Sequence, residues 1–156
     1  MRAAFVAAAC VALLLVAGCG GGGGDRLSAD EYRAELAAIG KEAATAEAEV
    51  EKGLHAKSLG ELRDRLNKFA DMEEHIADEV DALKPPKSAE VANHELAKGE
   101  HELAGELHAI LPKVAKATSV KAALALVNHD AVAAAAGKKV DHALTELKGL
   151  GYAGRT

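Results

Sequence analysis

The chain carries few of the residues that usually do chemistry. Its 156 residues include no tryptophan, two phenylalanines and two tyrosines, so stacking platforms for bases or sugars have almost nothing to be built from. Serine occurs four times, at Ser28, Ser58, Ser88 and Ser119, and the two cysteines, Cys10 and Cys19, both fall in the first nineteen residues. A serine or cysteine nucleophile needs a spare hydroxyl or thiol beside a base. No glycine-rich phosphate loop follows a strand. These shortages argue against an enzyme, and no cofactor is expected. Basic charge is short as well. The formal net charge is −5, and such a surface repels nucleic acid and anionic headgroups alike on average.

What is present begins with Met1-Arg2, an apolar run from Ala3 to Val16, and then Ala17-Gly18-Cys19. A positive start, a short apolar core and small residues before a cut describe a secretory leader. The run is shorter than the ~20 apolar residues that cross a bilayer. Val16-Ala17-Gly18-Cys19 resembles the lipobox of bacterial lipoproteins. The resemblance implies acyl transfer to the Cys19 thiol, cleavage after Gly18 and a lipidated N-terminus. Five glycines, Gly20 to Gly24, follow as a tether would. The expected organisation is therefore a leader over 1–18, a lipidated cysteine and glycine-rich tether over 19–27, and a folded domain over 28–156. Cys10 would leave with the leader and Cys19 would carry lipid. The remaining 138 residues would then be held by their core alone, and that length suffices. Loss of Arg2 takes the formal charge to −6.

The four serines lie 30, 30 and 31 residues apart. Serine suits a helix N-cap because its hydroxyl accepts a bond from an orphaned backbone N–H. Ser28 with Glu31 and Ser58 with Glu61 have capping-box spacing, and Leu27 with Tyr32 has the spacing of a hydrophobic staple. Four caps predict four helices, over about 29–52, 59–84, 89–111 and 119–148. Apolar stripes support each of them: Tyr32, Leu36, Ile39, Ala43 and Ala46 in the first, and Leu62, Leu66, Phe69, Ile76 and Val80 in the second. Pro85-Pro86 ends the second, and the third runs up to Pro112, with a brief resumption through Ala117 as the alternative. The fourth changes phase near Gly137, where a kink is expected. Short connections make neighbours antiparallel, so the expected fold is all-α, an antiparallel up-down four-helix bundle. Long hairpins that need a partner are the alternative.

Histidines recur at His94, His101 and His108 inside a repeated His-Glu-Leu-Ala. At 100° per residue, with His94 at 0°, Leu103, Leu96 and Leu107 fall at about 180°, 200° and 220°, while His101 and His108 fall at about 340° and 320°. The histidines lie away from the apolar stripe. They are also about 10.5 Å apart along the axis, too far to share one ion at ~2.1 Å. They form a candidate pH-sensitive surface instead, since protonating all seven histidines would move the formal charge from −6 to about +1. The candidate metal set is different. His75 has Asp71 four residues before it and Asp78 and Glu79 three and four after, which gathers an imidazole and three carboxylates on one helix face. Glu73 falls on the apolar stripe between Phe69 and Ile76. A stripe-edge position with the carboxylate reaching outward is expected; the alternative is an interior carboxylate partnered by a residue such as Lys138.

In layout the chain resembles small helical lipoproteins of unknown function from high-GC bacteria, through the lipobox, the tether, Leu27-Ser-Ala-Asp-Glu-Tyr32, Leu83-Lys-Pro-Pro86 and Leu147-Lys-Gly-Leu-Gly-Tyr152. That resemblance implies a location and a fold, with no activity. Two classes follow. One is a lipid-anchored interaction module on the extracytoplasmic side of the cell membrane, at the periplasmic face or the cell surface, with an unidentified protein partner. The other binds or scavenges a divalent metal through histidine and carboxylate faces.

Overall fold

The structure, a computed structural model, describes residues 26–53, 56–128 and 131–152. The leader, Cys19 and the glycine run lie outside the described residues. Among those residues the fold is all-α: α1 is Ala29–Gly53, α2 Leu59–Ala82, α3 Glu90–Ala115, α4 Val120–Asn128 and α5 Ala131–Gly149. None of these helices is long and apolar enough to cross a membrane.

Three serines cap as expected. Ser28, Ser58 and Ser119 hydroxyls accept from the backbone N–H groups of Glu31, Glu61 and Ala122 at 3.3, 3.1 and 3.2 Å. Glu31 closes its box by accepting from Ser28 N at 2.8 Å. Glu61 reaches one residue further back, to Lys57 N at 3.0 Å. These bonds hold both carboxyls below the usual glutamate range, led by the Ser28 hydroxyl for Glu31 and the Lys57 N–H for Glu61. Ser88 is the exception. It lies in a 3₁₀ turn, Lys87–Ala89, that precedes α3, and its hydroxyl shares a 2.8 Å bond with the Tyr152 hydroxyl. Tertiary structure has claimed the oxygen that the spacing assigned to a cap.

Pro112 does not end α3, which continues without a break to Ala115. Proline loses one helical bond, but Val114 is fully buried, and Arg63 from α2 donates to the carbonyls of Val114, Ala115 and Ala117. The span expected of a fourth helix is described as α4, up to Asn128, and α5, from Ala131, with Gly137 inside a continuous α5. A lone glycine weakens a helix without ending it.

The α2–α3 pair is antiparallel and central; α1 packs on α2, α5 on α3, and α4 against α3 and α2. Two apolar clusters result. The larger joins Tyr32, Ile39, Ile76, Val80, Leu96, Ala143, Leu147 and Tyr152. The smaller, at the opposite end of the α2–α3 pair, joins Leu62, Leu66, Ile110, Val114 and Ala123. Tyr152 reaches the larger cluster through the cap of α5. Tyr152 N bonds Leu147 O at 2.8 Å and Gly151 N bonds Lys148 O at 3.0 Å, the two bonds of a Schellman motif. Gly151 supplies the required positive φ of 82°.

Much of the rest of the core is alanine, so helices must approach closely. Gly99 marks such a place: a Cβ there would lie 3.0 Å from Val140 Cγ2 and 3.2 Å from Val140 N, whereas a Cβ on Gly105 meets nothing within 4 Å. Alanine in place of a helical glycine should gain about 1 kcal/mol from propensity alone. Gly105→Ala is expected to show that gain in urea unfolding. Gly99→Ala is expected to lose stability, since overpacking costs roughly 1–3 kcal/mol. Equal midpoint shifts in the two variants would refute the close approach of α3 and α5.

Candidate functional site

The predicted metal set is divided by the structure. The four residues share one outer side of α2, but they face different neighbours. His75 and Glu79 meet Glu42 of α1, and the ligand atoms of these three lie within 4.8 Å of one another. His75 Nε2 is 3.4 Å from Glu79 Oε1, which is about the separation of two ligands each ~2.1 Å from one tetrahedral ion. Asp78 turns the other way, to His101 Nε2 at 4.0 Å. Asp71 is exposed and is not one of the three residues in the cluster. The i, i+4 pair was legible in the sequence. Glu42 was not, because nothing local says which residue of α1 stands across from His75.

The histidine row lies along the α2–α3 seam. His108 Nε2 faces Glu74 Oε2 at 3.2 Å, and that nitrogen is cut off from solvent. His101 faces Asp78, and His94 is exposed. On α5, His142 pairs with Glu146 at 3.5 Å and Lys139 pairs with Glu102 of α3, which draws the Glu102 carboxyl below its usual range. The predicted pH-sensitive surface is therefore bordered by carboxylates of α2.

Among the described residues three polar or charged ones, Glu73, Asn93 and Glu100, are buried. Glu73 is 5% exposed, so it is buried and does not reach outward as expected of a stripe edge; Glu100 is 8% exposed and Asn93 4%. Lys138 is exposed on α5. Glu73 and Glu100 fall, along their own helices, between the residues of the two apolar clusters. Glu100 was missed, although a signal existed: on the helical wheel of α3 it lies at about 240°, beside Leu107 at about 220°. Asn93 is held from two sides. Tyr32 donates its hydroxyl to Asn93 Oδ1 at 2.8 Å, and Asn93 Nδ2 donates to Val80 O at 3.0 Å. The Tyr32 ring meets Tyr152 edge-on, with centroids 5.2 Å apart, and Arg33 donates to Gly151 O at 2.8 Å.

Glu42, His75 and Glu79 together offer oxygen and nitrogen donors for a cation. Comparison with protein-family models, curated proteins and solved structures found no match.

Burial pushes the Tyr32 phenol well above its ordinary value, and Tyr152 adds to the rise. An unfolded phenol ionises near pH 10. The folded state therefore holds the proton more tightly, and this contribution to stability is complete below about pH 10 and falls as pH rises beyond it. Tyr32→Phe is expected to cost roughly 1–2 kcal/mol through the lost bond. It should also flatten the alkaline decline in urea midpoint above about pH 10. An unchanged alkaline slope would show that Tyr32 is not the group responsible.

Proposed function

We propose that the chain is a lipid-anchored, non-enzymatic interaction module on the extracytoplasmic side of the cell membrane. In this reading its helices form an up-down four-helix bundle whose fourth member is divided into α4 and α5. The observation that carries the anchor is Val16-Ala17-Gly18-Cys19, followed at once by five glycines and then by the cap of the first helix. The bundle is supported by the packing order, with α1 on α2, α2 on α3 and α5 on α3, and by the shared cluster that all four enter. Cys19→Ser should leave the precursor uncleaved or release the protein from the membrane fraction. Cleavage after Gly18 with full membrane retention in that variant would overturn the anchor.

A second reading has its own observation, the meeting of Glu42 with His75 and Glu79. One imidazole and two carboxylates suit a divalent transition ion such as zinc, with coordination positions left for water or a partner's ligand. Calorimetric titration of residues 26–156 with zinc is expected to show one site that is lost in both His75→Gln and Glu42→Gln. Zinc binding untouched by Glu42→Gln would place any bound ion elsewhere and dismiss this site.

A further inference from the structure

The side of α2 that carries His75 and Glu79 continues, toward the start of the helix, as one wall of a groove. At 100° per residue, with Leu59 at 0°, His75, Lys68, Glu79, Met72 and Phe69 fall at about 160°, 180°, 200°, 220° and 280°. The groove holds about 610 Å³, and its apolar lining is Phe69 and Met72 of α2 with Ala46 of α1. On α1, Ala46 stands one turn beyond Glu42; on α2, Met72 stands one turn before His75. With α1 packed on α2, these steps place Glu42, His75 and Glu79 at one end of the groove. Its volume lies in the range of small-molecule sites, roughly 300–1,000 Å³, and such sites are mostly apolar with a few polar groups at fixed places.

The rim of the groove carries no net charge. Arg65 and Glu61 answer each other at 2.9 Å, and the other two charged residues of the lining are Lys68 and Asp64. The sign is set by the neighbouring trio. Without an ion, Glu42 and Glu79 present two negative charges that repel an anion. A divalent ion cancels them and leaves a coordination position for one more oxygen donor.

Resting on the metal reading above, we infer that the loaded trio and the groove together bind a small amphiphilic anion, a fatty carboxylate of medium chain length. One carboxylate oxygen replaces a water on the ion, and the hydrocarbon chain lies over Met72 and Phe69. The Lys68 stem adds apolar surface along the same wall while its ammonium group stays in water. His75 and Lys68 are seven residues apart, about 10.5 Å along α2, and that distance sets how much chain is covered. Ion and anion then bind cooperatively. By linkage, each raises the affinity of the other by the same factor.

The test measures zinc affinity of the full chain, reconstituted with phosphatidylcholine vesicles, against a competing chelator in the presence of octanoate, acetate or octanol. Octanoate is expected to tighten zinc binding about tenfold, which burial of two methylene groups is enough to supply. Acetate has the head without the chain and octanol the chain without the head, so neither should reproduce the effect. Glu42→Gln should abolish the octanoate effect in the same vesicles. Met72→Gln, at a half-buried position, should reduce it and leave zinc binding in place. Equal tightening by acetate and octanoate, or an octanoate effect that survives Glu42→Gln, would overturn the amphiphile site. Zinc held by the trio with no response to octanoate would overturn it as well, with the metal reading intact. Failure of the metal reading shows separately, in the titration without additive, as zinc binding that is absent or indifferent to Glu42→Gln.

Discussion

The hydroxyl of Tyr32 is where the domain is joined. It brings α1 to α3 through Asn93, and Asn93 in turn holds α2 through Val80 O. The ring above that hydroxyl meets Tyr152, which arrives from α5. A domain with so few aromatics uses two of them against each other. Elsewhere the seams are filled by Ala70, Ala77, Ala92, Ala97, Ala104, Ala136 and Ala143, each of which buries about one methyl group, worth roughly 0.8 kcal/mol. Alanine seams contribute mainly when backbones come close, and the phenol network fixes the spacing that allows it. Because Asn93 has both its oxygen and its amide engaged, the network is satisfied where a half-satisfied one would cost free energy.

Burial of Glu73 and Glu100 gives the interior a second character. Two apolar clusters occupy the two ends of the α2–α3 pair, and the stretch between them on each helix carries a carboxylate. Apolar stabilisation is thereby concentrated at the ends, since a buried carboxylate carries a desolvation cost that its partners must offset. α1 packs chiefly on α2, so an ion held by Glu42, His75 and Glu79 would bridge exactly that seam. Any ligand that binds only the folded arrangement stabilises it by mass action. The metal reading therefore makes α1 the element whose order depends on loading.

How far the sequence could be read depended on whether a signal was local. The all-α class and three of the helix starts were legible because capping is a short-range bond: Ser28, Ser58 and Ser119 each act on a residue three positions away. Ser88 shows the limit, since its oxygen is used by a tyrosine 64 residues further on. Pro112 shows another. A proline opposes helix continuation locally, but Arg63 from a neighbouring helix supplies donors that no window around Pro112 contains. The candidate site was half legible for the same reason. His75 and Glu79 share a helix, and their spacing can be counted. Glu42, 33 positions earlier, becomes a neighbour only through the packing of α1 on α2. Glu73 and Glu100 lie at core angles on their own helices, and the preference for exposed carboxylates concealed what the angles already indicated.

The histidine row owes its electrostatics to the fold as much as to its own spacing. On an isolated helix, His94, His101 and His108 point away from the apolar stripe, and protonation would make that side strongly basic. In the folded chain Asp78 and Glu74 stand against two of them, so protons taken up there are met first by carboxylates a few ångströms away. That compensation is local and weakly screened, which reduces what is left to attract a lipid headgroup. The histidines recur along one face of α3, yet the charge that this face presents to solvent is set jointly by α3 and by the carboxylates of α2 packed beside it.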